Sequence, residues 1–278
     1  MAKRIIDLYR ILSIDVCIGV CCMTFYFVKI FHSHAAFVNY LLIFLTVFGV
    51  YSTDHLIDAY LLKKEASTIR HRFFQKYFLS LCLITILVIV SVLILSIRFL
   101  SSDILKAGVI LAALVIMYCI INFIAFRKRM KNYLKEMISS IIYTSGLLIS
   151  SGALLTESKI SVIIVNFLII FLIVYLNLII FSYFDYENDN SDGYSSAATI
   201  IGKKGTLRLI YIIAASCAVI IILKIFYSGF DIPDTLIPLS MLLTLFLIIY
   251  LREYFKINFR YRYAGDSIFL FPIILLLL

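Results

Sequence analysis

The chain has 278 residues, 63% of them hydrophobic and 15% charged, and a mean hydropathy of +1.07. Soluble domains run nearer half apolar and a quarter charged, so a water-soluble enzyme is excluded. With only three prolines and ten glycines, disordered and fibrous classes are excluded as well. The net charge of +9 reads as basic residues gathered on cytoplasmic loops rather than as a nucleic-acid surface, and no nucleic-acid partner is expected.

A membrane span needs roughly 20 apolar residues to cross about 30 Å of hydrocarbon. Apolar runs separated by charged breaks place nine such spans, at 11–31, 36–56, 77–97, 104–126, 133–155, 160–184, 207–228, 234–251 and 264–278. The residues before the first run include Lys3, Arg4 and Arg10, but no small-residue cleavage pattern follows. That run is therefore expected to stay as a span. Pro272 lies within the last one, where it loosens the helix. The six cysteines lie inside apolar stretches without paired loop spacings and read as small buried hydrophobes.

Placing the N-terminus inside puts 20 of the 25 Lys and Arg on the cytoplasmic side. Only Lys29, Arg98, Lys106, Lys159 and Lys224 fall on the other side. Such a split is an orientation signal, and one missed helix would scramble it. The expected fold is all-α: a polytopic membrane protein of about nine helices, one domain over 1–278, multi-pass in the cell membrane with a cytoplasmic N-terminus. Its two long internal loops fall at about 57–76 and 185–206, on the face where function usually sits.

Two acidic clusters end spans 2 and 6. The first is Asp54-His55-Leu56-Ile57-Asp58, and the second begins Asp185-Tyr186-Glu187-Asn188-Asp189 and continues to Asp192-Gly193. Asp54 and Asp58 are four apart, as are Asp185 and Asp189, so a helix presents each pair on one face. Like charges at that spacing repel, and a divalent cation compensates them. Mg²⁺ suits the arrangement, because it takes one or two carboxylates and leaves its other positions to water and phosphate oxygens. An even number of spans separates the clusters, so both face the cytoplasm. Ionisable groups at membrane helices are functional by default, although acids also simply mark helix ends at the interface. Thr68, Arg70, Lys128 and Lys203 lie near the pairs on the same face and suit a diphosphate. The positive-inside rule alone also accounts for many of the basic residues there. Asn122 and Asn177, inside spans 4 and 6, read as interhelical hydrogen-bonding residues. His55 and His71 read as interfacial donors, and Gly193 as a turn residue.

In helix count and in these motifs the chain resembles the UbiA superfamily of intramembrane prenyltransferases. The first family motif runs N-D-x-x-D-x-x-x-D. Asp54 and Asp58 match its last two acids, while Val50 and Tyr51 stand where Asn and Asp are usual. The T-x-R that follows is matched by Thr68 and Arg70, with His71 in place of the common Pro. The second family motif runs D-x-x-D-x-x-x-D-x-x-x-G-x-x-T. Asp185, Asp189, Gly193 and Ser196 fall in register, as does the further Gly202, and Ser182 takes the first acid's place. Each motif has thus lost one acid.

The resemblance implies nine helices around a central cavity and a Mg²⁺-dependent transfer of a prenyl group from an allylic prenyl diphosphate to a lipophilic, often aromatic, acceptor within the lipid bilayer. Asp54, Asp58, Asp185 and Asp189 would be the catalytic, metal-holding acids. The 19 Tyr and 23 Phe provide for a π-rich pocket, with Tyr51, Tyr183, Phe184 and Tyr186 nearest the acids. Three alternatives remain open. One is a phosphoribosyl transferase of the same superfamily, and another a non-catalytic lipid-binding protein. The third is a transporter, which the position of the acids at helix ends rather than at the midplane disfavours.

Overall fold

A computed structural model of the chain describes residues 8–62, 69–128, 130–132, 134–229 and 231–276. Among those residues it has helices, turns and coil but no strand, the helices being in chain order α1 (Ile14–Ile30), α2 (Phe37–Leu61), α3 (Ile69–Lys76), α4 (Phe78–Phe99), α5 (Ser102–Arg127), α6 (Lys135–Ser150), α7 (Ile160–Asp192), α8 (Ala197–Ser228), α9 (Ile237–Tyr250), α10 (Arg252–Lys256) and α11 (Arg260–Ser267). A 3₁₀ segment, Ile268–Leu276, continues α11 around Pro272. Six of the helical segments are long and apolar enough to cross a membrane. The shorter α1, α6 and the α11 segment occupy the places expected for spans 1, 5 and 9. This is a multi-pass membrane protein.

The core forms around α7. Ile169, Ile170, Ile173, Val174, Leu176, Ile179 and Ile180 are all buried, so the middle of this helix turns a broad apolar face into the bundle. Its neighbours α8, α6 and α9 supply Cys217, Ile221, Leu147, Met241 and Leu245. By contrast, α4 buries only Leu81 and Thr85, and α5 only Ala125. Their outward Leu79, Leu83, Leu87, Ile97 and Ile110 side chains read as the lipid-facing surface.

Two helices run further than their apolar stretches. α2 continues to Leu61 rather than ending at 56, and α7 continues to Asp192 rather than ending at 184. At 33 residues α7 is about 50 Å long, well beyond the hydrocarbon thickness. Hydropathy ends a span where lipid ends; the hydrogen-bonded helix continues into the polar layer until a residue stops it. Gly193, at φ 80°, is that residue, and its left-handed conformation suits a residue without a Cβ. The long loop expected over 185–206 is therefore two helix ends joined by residues 193–196. α8 opens with a capping box between Ser196 and Thr199 and kinks at Gly202, φ 73°.

Away from this end, Lys224 of α8 is buried and its ammonium donates to Asn166 Oδ1 at 2.8 Å and to the Asp234 carbonyl at 2.9 Å. The Asp234 carboxylate stands 2.5 Å from it. A charge counted as a loop residue in the sequence is thus a buried link between α7, α8 and the turn before α9.

Candidate functional site

The two acidic pairs sit near the C-terminal ends of α2 and α7, where the helix dipole is negative and a carboxylate is least welcome. The i, i+4 spacing within each pair adds like-charge repulsion. Cations should therefore be found close by, and they are. Lys135, in the first turn of α6, lies within electrostatic reach of Asp54, Asp58 and Asp189 together. Asp58 and Asp189 also interact with each other, so the structure brings both pairs to one end of the bundle.

Several contacts hold this assembly in place. Glu136 Oε1 accepts from the Ala197 N–H at 2.9 Å, and Ser182 Oγ accepts from the Ala198 N–H at 2.8 Å. Both N–H groups are unpaired donors in the first turn of α8, and their capture fixes α6 and α7 against it. Ser182, which stands in the place of the second motif's first acid, is thus committed to a backbone hydrogen bond. Ser139 Oγ donates to Tyr118 Oη at 2.9 Å and joins α6 to α5. In the link after Gly193, the Tyr194 ring lies between Phe126 and His71, with centroids 5.0 and 5.9 Å away. These tilted ring contacts place α3, which follows the first acidic pair, beside the link that follows the second.

Asp185 is buried and fully engaged. Tyr261 Oη donates to its Oδ1 at 2.5 Å and Arg262 Nη2 to its Oδ2 at 2.6 Å. Phe184 stacks on the Tyr261 ring at 4.4 Å and 12°. α11 approaches α7 closely enough to do this because residue 265 is glycine: a Cβ there would stand 2.6 Å from Phe181 Cε1.

On the first half, Arg70 Nη2 donates to the Arg10 carbonyl at 3.0 Å, and its Nη1 is 3.5 Å from His55 Nε2. Arg70 and Arg262 lie near each other and near Asp266. His71 Nε2 is 3.5 Å from Asp58 Oδ2. Burial, helped by the Arg70 and Arg262 charges, pushes the His71 imidazole down to about 4, so it is neutral near pH 7.

Asp54, Asp58, Asp185, Asp189 and Arg70 thus share one region. Lys128 is exposed at the C-terminal cap of α5, two residues beyond Phe126. Lys203 is elsewhere: it pairs with Glu187 at 2.9 Å, and Glu187 is two residues from Asp185 and so about 200° around α7. Thr68 lies outside the described residues. Sequence reasoning passed over Lys135, Tyr261 and Arg262, which look like ordinary members of the cytoplasmic basic population and its aromatic neighbours. The one available signal was Arg262 four residues before Asp266, a helix-face pair. Asn122 Oδ1 accepts from Asn132 Nδ2 at 2.7 Å, in keeping with a structural role.

No protein-family profile matches the sequence, and no curated protein matches it in sequence. Solved structures do match in shape. A UbiA homologue from Aeropyrum pernix K1 superposes with a TM-score of 0.67 at 17% identity, covering 94% of this chain and 98% of that one. This chain has the UbiA fold. A structure of digeranylgeranylglyceryl phosphate synthase superposes with a TM-score of 0.61 at 14% identity, covering 98% of each chain.

Proposed function

We propose that the protein is an intramembrane transferase that ionises an allylic prenyl diphosphate and passes the prenyl group to a lipophilic acceptor. The observation that carries this reading is the convergence of two i, i+4 carboxylate pairs with Lys135, Arg70 and Arg262 at one end of a UbiA fold. The similar shape of digeranylgeranylglyceryl phosphate synthase favours the same chemistry.

The donor set fits Mg²⁺: Asp54, Asp58 and Asp189 offer hard carboxylate oxygens, and Asp185 offers two more once Tyr261 and Arg262 release them. Bound there, Mg²⁺ would supply the positive charge that a leaving diphosphate needs. The chain's own groups do the rest. Arg70, Lys128 and Lys135 hold diphosphate oxygens, and Arg262, released from Asp185, turns to the same anion. The allylic C–O bond breaks with its electron pair leaving on the diphosphate. The allylic cation is stabilised against aromatic faces, among them Tyr51 on α2, until the acceptor's electrons form the new bond and a proton is lost. Lys203 has no part in this arrangement. The N-terminus and both acidic helix ends face the cytoplasm.

The test is purified protein in lipid nanodiscs given labelled prenyl diphosphates of increasing chain length, with and without a chelator. Metal-dependent release of diphosphate is expected. Asp189→Asn and Asp58→Asn should each lower it by about 10²-fold or more, because each removes charge from an electrostatic element while keeping its shape. Turnover of phosphoribosyl diphosphate alone would move the chain to the phosphoribosyl class. No turnover with either donor would overturn the transferase reading.

A further inference from the structure

His55 and Asp58 are three residues apart on α2 and share one helix face. His71 reaches the same place from α3, with its ring centroid 5.8 Å from that of His55. One ligand atom from each of the three residues lies within 4.8 Å of the others. Ligands of a tetrahedral ion at 2.0–2.1 Å stand about 3.4 Å apart. His71 Nε2 and Asp58 Oδ2, at 3.5 Å, already have that separation. His55 Nδ1 is buried and has no hydrogen-bond partner among the described residues, an arrangement that needs an explanation in a native fold.

We propose that His55, Asp58 and His71 form a binding site for a divalent transition metal of the Zn²⁺ type, distinct in chemistry from an all-carboxylate Mg²⁺ site. Imidazole nitrogen selects borderline ions such as Zn²⁺ and Co²⁺, whereas Mg²⁺ favours oxygen ligands. Two neutral imidazoles and one carboxylate leave the ion with net positive charge and at least one open position. Arg70 stands at the other edge of the His55 ring, with Nη1 3.5 Å from Nε2. Ligation through His55 Nδ1 puts the ring proton on Nε2, which can then no longer accept from Arg70. Metal binding would thereby release the guanidinium from His55. The inference deepens the transferase reading, and its functional part rests on that reading, because Asp58 belongs to both. It also gives His71, which stands where the resembled motif has Pro, a specific task.

The experiment is Co²⁺ titration of chelator-stripped, purified protein, followed by visible absorption. One equivalent should give the bands of nitrogen- and oxygen-ligated Co²⁺. Zn²⁺ should abolish them, and millimolar Mg²⁺ should not. His71→Gln should weaken Co²⁺ binding by more than the roughly 10- to 100-fold that outer-sphere changes cause. Should that variant fail to fold, the wild type still decides: Zn²⁺ but not Mg²⁺ should protect His71 from modification by diethyl pyrocarbonate. Absent bands, unchanged binding in a folded His71→Gln variant, or no protection by Zn²⁺ would each overturn the site. Absent bands with intact Mg²⁺-dependent prenyl transfer would overturn this inference alone. Co²⁺ bands without transfer of any prenyl group would overturn the transferase reading alone.

Discussion

The close approach of α11 to α7 can be tested with one substitution made at two glycines. Ala is favoured over Gly in a helix interior by about 1 kcal/mol, so Gly→Ala should stabilise wherever space allows. Gly108, within α5, has nothing within 4 Å of the position a Cβ would take, and Gly108→Ala should gain about 0.5–1 kcal/mol. At Gly265 the added Cβ would stand 2.6 Å from Phe181 Cε1 and 2.8 Å from its Cζ. Ordinary contact lies at 3.4–4 Å, so ring and helix must separate by about 1 Å. Overpacking of that kind costs about 1–3 kcal/mol, which cancels or exceeds the propensity gain.

The two variants should therefore differ by about 1–3 kcal/mol, with Gly265→Ala the less stable. The displacement also reaches the site. Tyr261 and Arg262 lie on α11 within a turn of Gly265, and their bonds to Asp185 are 2.5 and 2.6 Å long. Moving α11 by about 1 Å takes both to the limit of hydrogen bonding. Thermal unfolding in detergent measures the stability difference. If Gly265→Ala is stabilised as much as Gly108→Ala, α11 is not packed on α7 as described, and the account of how Asp185 is held fails with it.

Arg262→Gln should leave the buried Asp185 carboxylate with Tyr261 alone; Arg262 is itself 37% exposed, so the cost is about 1–3 kcal/mol rather than that of a fully buried pair. Millimolar Mg²⁺ should raise the melting midpoint of this variant more than that of the wild type; equal shifts would argue against competition between arginine and metal at Asp185. Lys224→Met should destabilise by about 3–5 kcal/mol, because it strands Asp234 and Asn166, and pairing it with Asp234→Asn should recover part of the loss. A melting curve unchanged by Lys224→Met would contradict the buried link. Gly193→Ala, at φ 80°, should cost about 1–2 kcal/mol and disturb the last turn that carries Asp189, to be read as a lower midpoint together with reduced diphosphate release.

Much of the fold was legible because membrane spans are marked by composition. The expected spans 3 and 4, at 77–97 and 104–126, differ by only a few residues from Phe78–Phe99 and Ser102–Arg127. The helix ends at the acidic motifs were less legible, for a physical reason. Asp185, Asp189 and Asp192 end the apolar stretch without ending the hydrogen bonds, so a hydropathy reading stops α7 about two turns early. Gly193 was the true stop signal, and its left-handed φ is the kind of conformation that glycine adopts without strain.

The acids of the candidate site were visible for the same reason as the spans: a carboxylate beside an apolar helix is conspicuous. Their partners were not, because Lys135 and Arg262 are chemically indistinguishable from the basic residues that orient any membrane protein. Only the packing of α6 and α11 separates the two roles. Glu136 ties the first turn of α6, which carries Lys135, to the α8 N-terminus, and Gly265 lets Arg262 close on Asp185. The histidines were hidden differently. His55 and His71 are 16 residues apart in no recognisable ligand spacing, and they meet only because α3 folds back on α2. A carboxylate pair announces itself by the repulsion it must relieve, whereas a neutral imidazole pair can be recognised only after the chain has brought it together.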